Sequence, residues 1–283
     1  MLTRRNFIGT GLAALAATTL AACGNASSSS SSSAASDSAQ SQTLTVAASP
    51  SPHAEILNNF AAPKLKEQGI DLQTKEYTDY IIPNQVTSSG EVDANYFQHI
   101  NYLNNYNEEN GTDLVGVAAI HYEPFGIYAG KSSDLANIAD GAQIAVPNDP
   151  TNEARALLLL QQEGLITLKD PDDVTATPND IAENPHNIAF REVEAAATPR
   201  ALQDVDFAAI NLNYALEADL HVADALVVEA ASGAAVEQYA NIIATSPDKA
   251  EDERIKALVE VLTSAEFKDY LAENYDQDVL AAF

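Results

Sequence analysis

Two α/β lobes facing each other across a cleft are the fold class that the sequence predicts. Three observations carry the prediction. Strand-like and helix-like segments alternate from about residue 43 to residue 283, as they do in layered α/β domains. That stretch is about 240 residues, long enough for one large or two small domains. It follows an apolar leader and a serine-rich spacer, neither of which has the composition of a core.

Met1 to Arg5 carries two positive charges and no acid, and an apolar run from Phe7 to Leu20 leads into Ala21-Ala22-Cys23. Interrupted by Gly9 and Gly11, the run is shorter than the ~20 residues that span a bilayer, so residues 1–22 are expected to be a cleaved signal peptide. Thr3-Arg4-Arg5-Asn6-Phe7-Ile8 also resembles a twin-arginine export signal. Cys23 is the only cysteine and follows small residues, the setting for lipidation. Each acyl methylene buried in a membrane adds ~0.8 kcal/mol, and an exported, lipidated chain is expected on the extracytoplasmic face of the cell membrane. Residues 23–42, with their run of serines from Ser27 to Ser33, read as the lipidated cysteine and a flexible tether.

The formal net charge is −27. It excludes nucleic acid as a partner and disfavours a direct grip on anionic lipid, leaving anchorage to the lipid on Cys23. The acids are dispersed, as on a solvated surface.

Leu44 to Ala48 reads as a strand, Ala54 to Gln68 as a helix closed by Gly69, and Ile70 to Tyr77 as a second, alternating strand. Leu114 to Ile120, Phe125 to Ala129 and Ala142 to Val146 read as extended. Asp149 then fits a helix N-cap, Pro150 the first helical position and Gly164 the residue past the end, which predicts a helix over Pro150 to Glu163. Ile188 to Val193 and Val205 to Ile210 are expected strands, with a helical turn opening at Pro199-Arg200-Ala201-Leu202 between them. Tyr239 to Ala244 is a further strand, and Pro247 to Thr263 and Ser264 to Tyr275 are closing helices. Ligands of such folds bind in the cleft.

Catalytic chemistry is not signalled. The histidines at 53, 99, 121, 186 and 221 lack metal-ligand spacing, and no nucleophile elbow or phosphate-binding loop occurs. Asp93 and His99 place an acid near a base, but no nucleophile accompanies them. Asp79, Asp93 and Asp149 read more simply as turn and cap residues beside Pro83, Gly90 and Pro150. No catalytic residue, metal or cofactor is assigned, and the sequence reads as that of a binder.

Three segments carry a resemblance: Tyr77-Thr78-Asp79-Tyr80-Ile81-Ile82-Pro83-Asn84 running into Gly90 to His99 and Tyr102-Leu103; Val146 to Leu160; and Ala208-Ala209-Ile210-Asn211 with Tyr214-Ala215, after Glu183-Asn184-Pro185. In order and spacing they resemble the methionine-binding lipoproteins of bacterial ABC importers, the MetQ or NlpA family, across residues 43–283. The departures are Ala197-Thr198 before Pro199-Arg200, where a longer apolar or amide residue is usual, and Glu153-Ala154, where a glycine before the arginine is common. The resemblance implies a two-lobed periplasmic-binding-protein fold of type II with two crossover segments, residues 43–124 plus 235–283 forming lobe 1 and 125–234 lobe 2. It also implies methionine or a related small molecule in the cleft, and delivery to an ABC permease with its ATPase. A methionine-containing dipeptide, another apolar amino acid and, more distantly, a surface hydrolase are the alternatives.

Asn152 and Arg155, three apart at the start of one helix, share a face where a guanidinium and unpaired backbone N–H groups favour a carboxylate. Asn211, at the end of an apolar strand, offers an amide that accepts from an ammonium group. Tyr80, Phe97 and His99 match family positions around the ligand side chain. A thioether gains ~0.3–1.5 kcal/mol per aromatic contact, and Phe97 and His99 point the same way if their segment is extended.

Overall fold

The computed structural model describes residues 42–231 and 233–283. The expected signal peptide, Cys23 and most of the tether lie outside the described residues. Among those described, no helix is long and apolar enough to cross a membrane.

Thirteen strands are described: β1 (Gln42–Ala48), β2 (Ile70–Glu76), β3 (Ala94–His99), β4 (Val115–Tyr122), β5 (Gly126–Ala129), β6 (Gln143–Pro147), β7 (Thr167–Leu168), β8 (Ile181–Glu183), β9 (Ala189–Val193), β10 (Phe207–Ile210), β11 (Ala225–Val228), β12 (Ala240–Thr245) and β13 (Leu280–Ala281). They form a six-stranded sheet ordered β13-β4-β12-β3-β1-β2 and a five-stranded sheet ordered β11-β5-β10-β6-β9, with β7 and β8 a small separate pair. In the first sheet β1 runs parallel to β2 and β3, and β12 is antiparallel to β3 and β4. In the second, β6 runs parallel to β9 and β10, while β5 is antiparallel to β10 and β11.

Nine α-helices accompany them among the described residues: α1 (Ala62–Glu67), α2 (Ile82–Ser88), α3 (Ile100–Asn110), α4 (Pro150–Gln162), α5 (Thr198–Ala201), α6 (Leu212–Glu217), α7 (Gly233–Tyr239), α8 (Glu253–Leu262) and α9 (Ala265–Asn274). The chain passes from the first sheet to the second between β4 and β5 and returns between β11 and β12, so two crossovers join two lobes. Each lobe has its own core. Val46, Tyr96, Ile120 and Ile243 pack with Ile255, Leu258 and Phe267 in one, and Phe125, Ile144, Leu157 and Phe207 pack together in the other.

Helix α4 follows its sequence signals closely. Asp149 Oδ1 accepts from the backbone N–H of Asn152 at 3.0 Å, Pro150 opens the helix, and Gly164 takes φ of +73° just past the end, where a Cβ would be strained. Elsewhere the structure redraws expected elements. The helix anticipated over 54–68 starts as wide π-type turns over Pro50–Ala54 and Leu57–Ala61 before tightening into α1. The one expected over 247–263 is a short 3₁₀ turn followed by α8, because Asp252 accepts from Arg254 N–H at 2.8 Å and caps a new helix. Tyr239 ends α7 and does not begin β12.

Candidate functional site

Both sheets present the carboxyl ends of parallel strands to one cavity between the lobes, the position at which open α/β sheets bind ligands. β3 supplies Phe97, Gln98 and His99; β10 leads directly to Asn211; and β6 leads through Asp149 to Asn152 and Arg155 on the first turns of α4. Tyr80 enters from the loop before α2. All six residues expected from sequence to contact a ligand, Tyr80, Phe97, His99, Asn152, Arg155 and Asn211, line this cavity. Phe97 and His99 are extended, two residues apart, and both buried.

Arg155 is 4 % exposed and is held by three groups. Its Nε and Nη2 donate to the Glu229 carboxylate at 3.1 Å and 2.6 Å, Nη2 also donates to the Glu123 carbonyl at 3.0 Å, and the Tyr239 ring lies 4.2 Å from the guanidinium carbon. Burial works against its charge, but the Glu229 carboxylate overrides that cost and keeps the guanidinium ionised. Nη1 has no acceptor among the described residues.

Asn152 ties the cavity walls together. Its Oδ1 accepts from Asn211 Nδ2 at 2.8 Å and faces His99 Nε2 at 3.3 Å, and its Nδ2 donates to Asp149 Oδ1 at 2.8 Å. His99 Nδ1 accepts from Tyr102 N–H at 3.1 Å, which leaves Nε2 as the protonated nitrogen of a neutral ring. Burial first, then the nearby Arg155 charge, lower its pKa to about 3. Asn211 Oδ1 is buried with no donor among the described residues. Such an atom is costly unless a ligand or water supplies a partner.

At the base of the cavity Glu123 forms a carboxylate centre flanked by two imidazoles. His121 Nε2 lies 2.7 Å and His53 Nε2 3.4 Å from its Oε1, while Oε2 accepts from Asn213 N–H at 3.1 Å. Tyr96 hydroxyl contacts His121 Nδ1, and His53 Nε2 also faces Asn241 Oδ1 at 2.9 Å. Burial lowers His53 to about 4 and His121 to about 3, so both are neutral donors, and burial raises Glu123. The three ligating atoms lie within 4.8 Å of one another, and these hydrogen bonds account for their proximity.

The remaining wall is aromatic. Tyr80 lies 5.8 Å from Phe97 and 5.7 Å from Tyr102 between ring centroids. Its hydroxyl donates across the cleft to Asn213 Oδ1 at 2.5 Å, and Tyr214 donates to the Thr78 carbonyl at 3.2 Å.

Sequence reasoning missed Glu123, Tyr102, Asn213 and Asn241. A signal existed for Glu123, an acid inside the apolar, aromatic run Ile120-His121-Tyr122-Glu123-Pro124-Phe125. The amides had none. One expectation is corrected: Asp93 is not a simple turn residue. It accepts from Thr45 N–H at 2.9 Å and pairs with Lys249 at 2.9 Å and Arg254 at 3.2 Å, tying α8 to the sheet away from the cavity. Asp79 and Asp149 do serve as turn and cap.

Residues 44–283 match the NlpA lipoprotein family. The methionine-binding lipoprotein MetQ of Bacillus subtilis is 40 % identical over 283 residues, covering 98 % of each chain. The D-methionine-binding lipoprotein MetQ of Escherichia coli K12 is 39 % identical over 75 % of this chain and 77 % of its own. Among solved structures, a nutrient-binding protein from Burkholderia cenocepacia bound to methionine is 37 % identical, with a TM-score of 0.80, covering 85 % of this chain and 100 % of that one.

Proposed function

The chain belongs to the NlpA lipoprotein family, and on that premise we propose that it is a lipid-anchored solute-binding protein that captures methionine between its lobes and delivers it to an ABC permease with its ATPase. The observation that carries the proposal is the pairing of two opposite poles in one cavity. Arg155 offers its remaining donor, Nη1, to a carboxylate, while Glu123 and the unpaired Asn211 Oδ1 offer acceptors to an ammonium group. An α-amino acid zwitterion has both groups on adjacent carbons. Its side chain would then lie against Tyr80, Phe97, His99 and Tyr102, a wall suited to a thioether.

In this mechanism lobes 43–124 plus 235–283 and 125–234 open about the two crossovers, admit the ligand and close on it. Asn152 joins Arg155 at the carboxylate, and closure excludes water, so each polar contact acts in a lower dielectric. Tyr80 to Asn213, Tyr214 to Thr78 and His99 to Asn152 are contacts that cross the cleft directly. The lipid on Cys23 holds the protein at the extracytoplasmic membrane surface, close to the permease. No catalytic step enters.

Thermal melting of the mature chain with L-methionine, D-methionine, a methionine-containing dipeptide and leucine tests the ligand. Methionine at 100 times its dissociation constant is expected to add ~2.7 kcal/mol of stability. A shift with another compound and none with either methionine would overturn it.

A further inference from the structure

We propose that Glu229 is a positioning residue for the carboxylate clamp, turning the Arg155 guanidinium so that Nη1 is the edge presented to the cavity. The inference rests on the reading of Arg155 as the clamp. Arginine's guanidinium is planar and presents its donors in a fixed fork, so occupation of one edge decides which edge remains. Glu229 takes the Nε and Nη2 edge with both oxygens, at 3.1, 3.1 and 2.6 Å.

Glu229 is itself fixed. Tyr122 hydroxyl donates to its Oε2 at 2.5 Å, and its backbone N–H donates to the Phe125 carbonyl at 2.8 Å. Arg155 is further held by the Glu123 carbonyl and lies over the Tyr239 ring. Glu123 and Phe125 lie in the first crossover, Glu229 and Tyr239 in the second. The guanidinium is therefore oriented by both segments about which the lobes would move. Arg155 lines the cavity and Glu229 does not.

A contrasting arrangement would make Glu229 a stand-in for the ligand carboxylate, leaving Arg155 when ligand arrives. The two arrangements predict opposite effects of neutralising Glu229. The experiment is calorimetric titration of the wild-type chain, Glu229→Gln and Glu229→Asp with L-methionine, and with L-methioninol, which lacks the carboxylate, measured by competition where its binding is weak.

Glu229→Gln is expected to weaken methionine at least tenfold and methioninol less than threefold, with Glu229→Asp recovering part of the loss. Tighter methionine binding by Glu229→Gln would establish the stand-in and overturn the proposal. Equal losses for the two ligands would show a merely structural role and overturn it too, as would unchanged affinity. Absence of methionine binding by the wild-type chain would overturn the underlying reading and this inference with it. Circular dichroism on each variant checks the fold, and Glu229→Asp decides the outcome if Glu229→Gln does not fold: full wild-type affinity with its shorter reach would then count against positioning.

Discussion

Glu123 meets the cavity as a buried carboxylate between imidazoles that burial keeps neutral. Burial raises its pKa, while N–H groups of His121, His53 and Asn213 at its oxygens favour the ionised form, as a ligand cation would. Glu123→Gln is expected to weaken L-methionine at least tenfold, or ~1.4 kcal/mol, and to lower the melting temperature modestly, because the new amide sets its N–H groups against one of the donors that Glu123 accepts. Undiminished affinity by calorimetry would exclude Glu123 from the ammonium pole. Glu153 offers a contrast, since it does not line the cavity. It is 6 % exposed, and burial first, then the adjacent Glu192, push its pKa from 4.5 to about 8. The folded state thus retains a proton that the unfolded chain releases, so stability is full below about pH 4.5 and is lost as pH rises toward 8. Glu153→Gln is expected to melt with the wild type near pH 4.5 and to be ~1–3 kcal/mol more stable near pH 8.5. Identical melting curves at both values would contradict this.

At the scale of elements, α4 places two cleft residues and orients the chain between them and the sheet. Asp149 caps it and also holds the Asn152 side chain. Asp149→Ala should therefore cost ~1 kcal/mol in stability from the lost cap and additionally weaken ligand binding, read by melting and calorimetry on the same sample. A loss of stability with full affinity would separate the cap from the site. This helix was legible because Asp-Pro opens it and glycine closes it, and these are local signals. β3 was legible only as a conditional expectation: every residue from Ala94 to His99 is buried, so the alternation that marks a half-exposed strand is missing. The asparagine-rich sequence of α3 likewise gives a weak helical stripe, and its Tyr102, Leu103 and Tyr106 are the residues that turn inward.

For the whole molecule, the alternation of segments announced two α/β lobes, and the resemblance supplied their connection by two crossovers. The six expected site residues converge because they sit at strand ends or on the first helical turns that follow, where local sequence fixes their direction. Glu123, Asn213, Asn241 and Glu229 were not legible as a group, since their meeting depends on how the crossovers bring distant segments together. Spacing in the chain does not encode that juxtaposition. Arg155 of one lobe is gripped by both crossovers, so on the proposed reading a ligand held by Arg155 would sense lobe geometry. Titration calorimetry of L-methionine into the wild-type mature chain and into Arg155→Ala, run side by side, tests whether Arg155 clamps a methionine carboxylate. Saturable one-to-one binding is expected for the wild type, and a loss of well over tenfold, more than ~1.4 kcal/mol, for a variant that stays folded. Wild-type affinity retained within tenfold in Arg155→Ala, or no methionine binding by the wild type, would contradict that role.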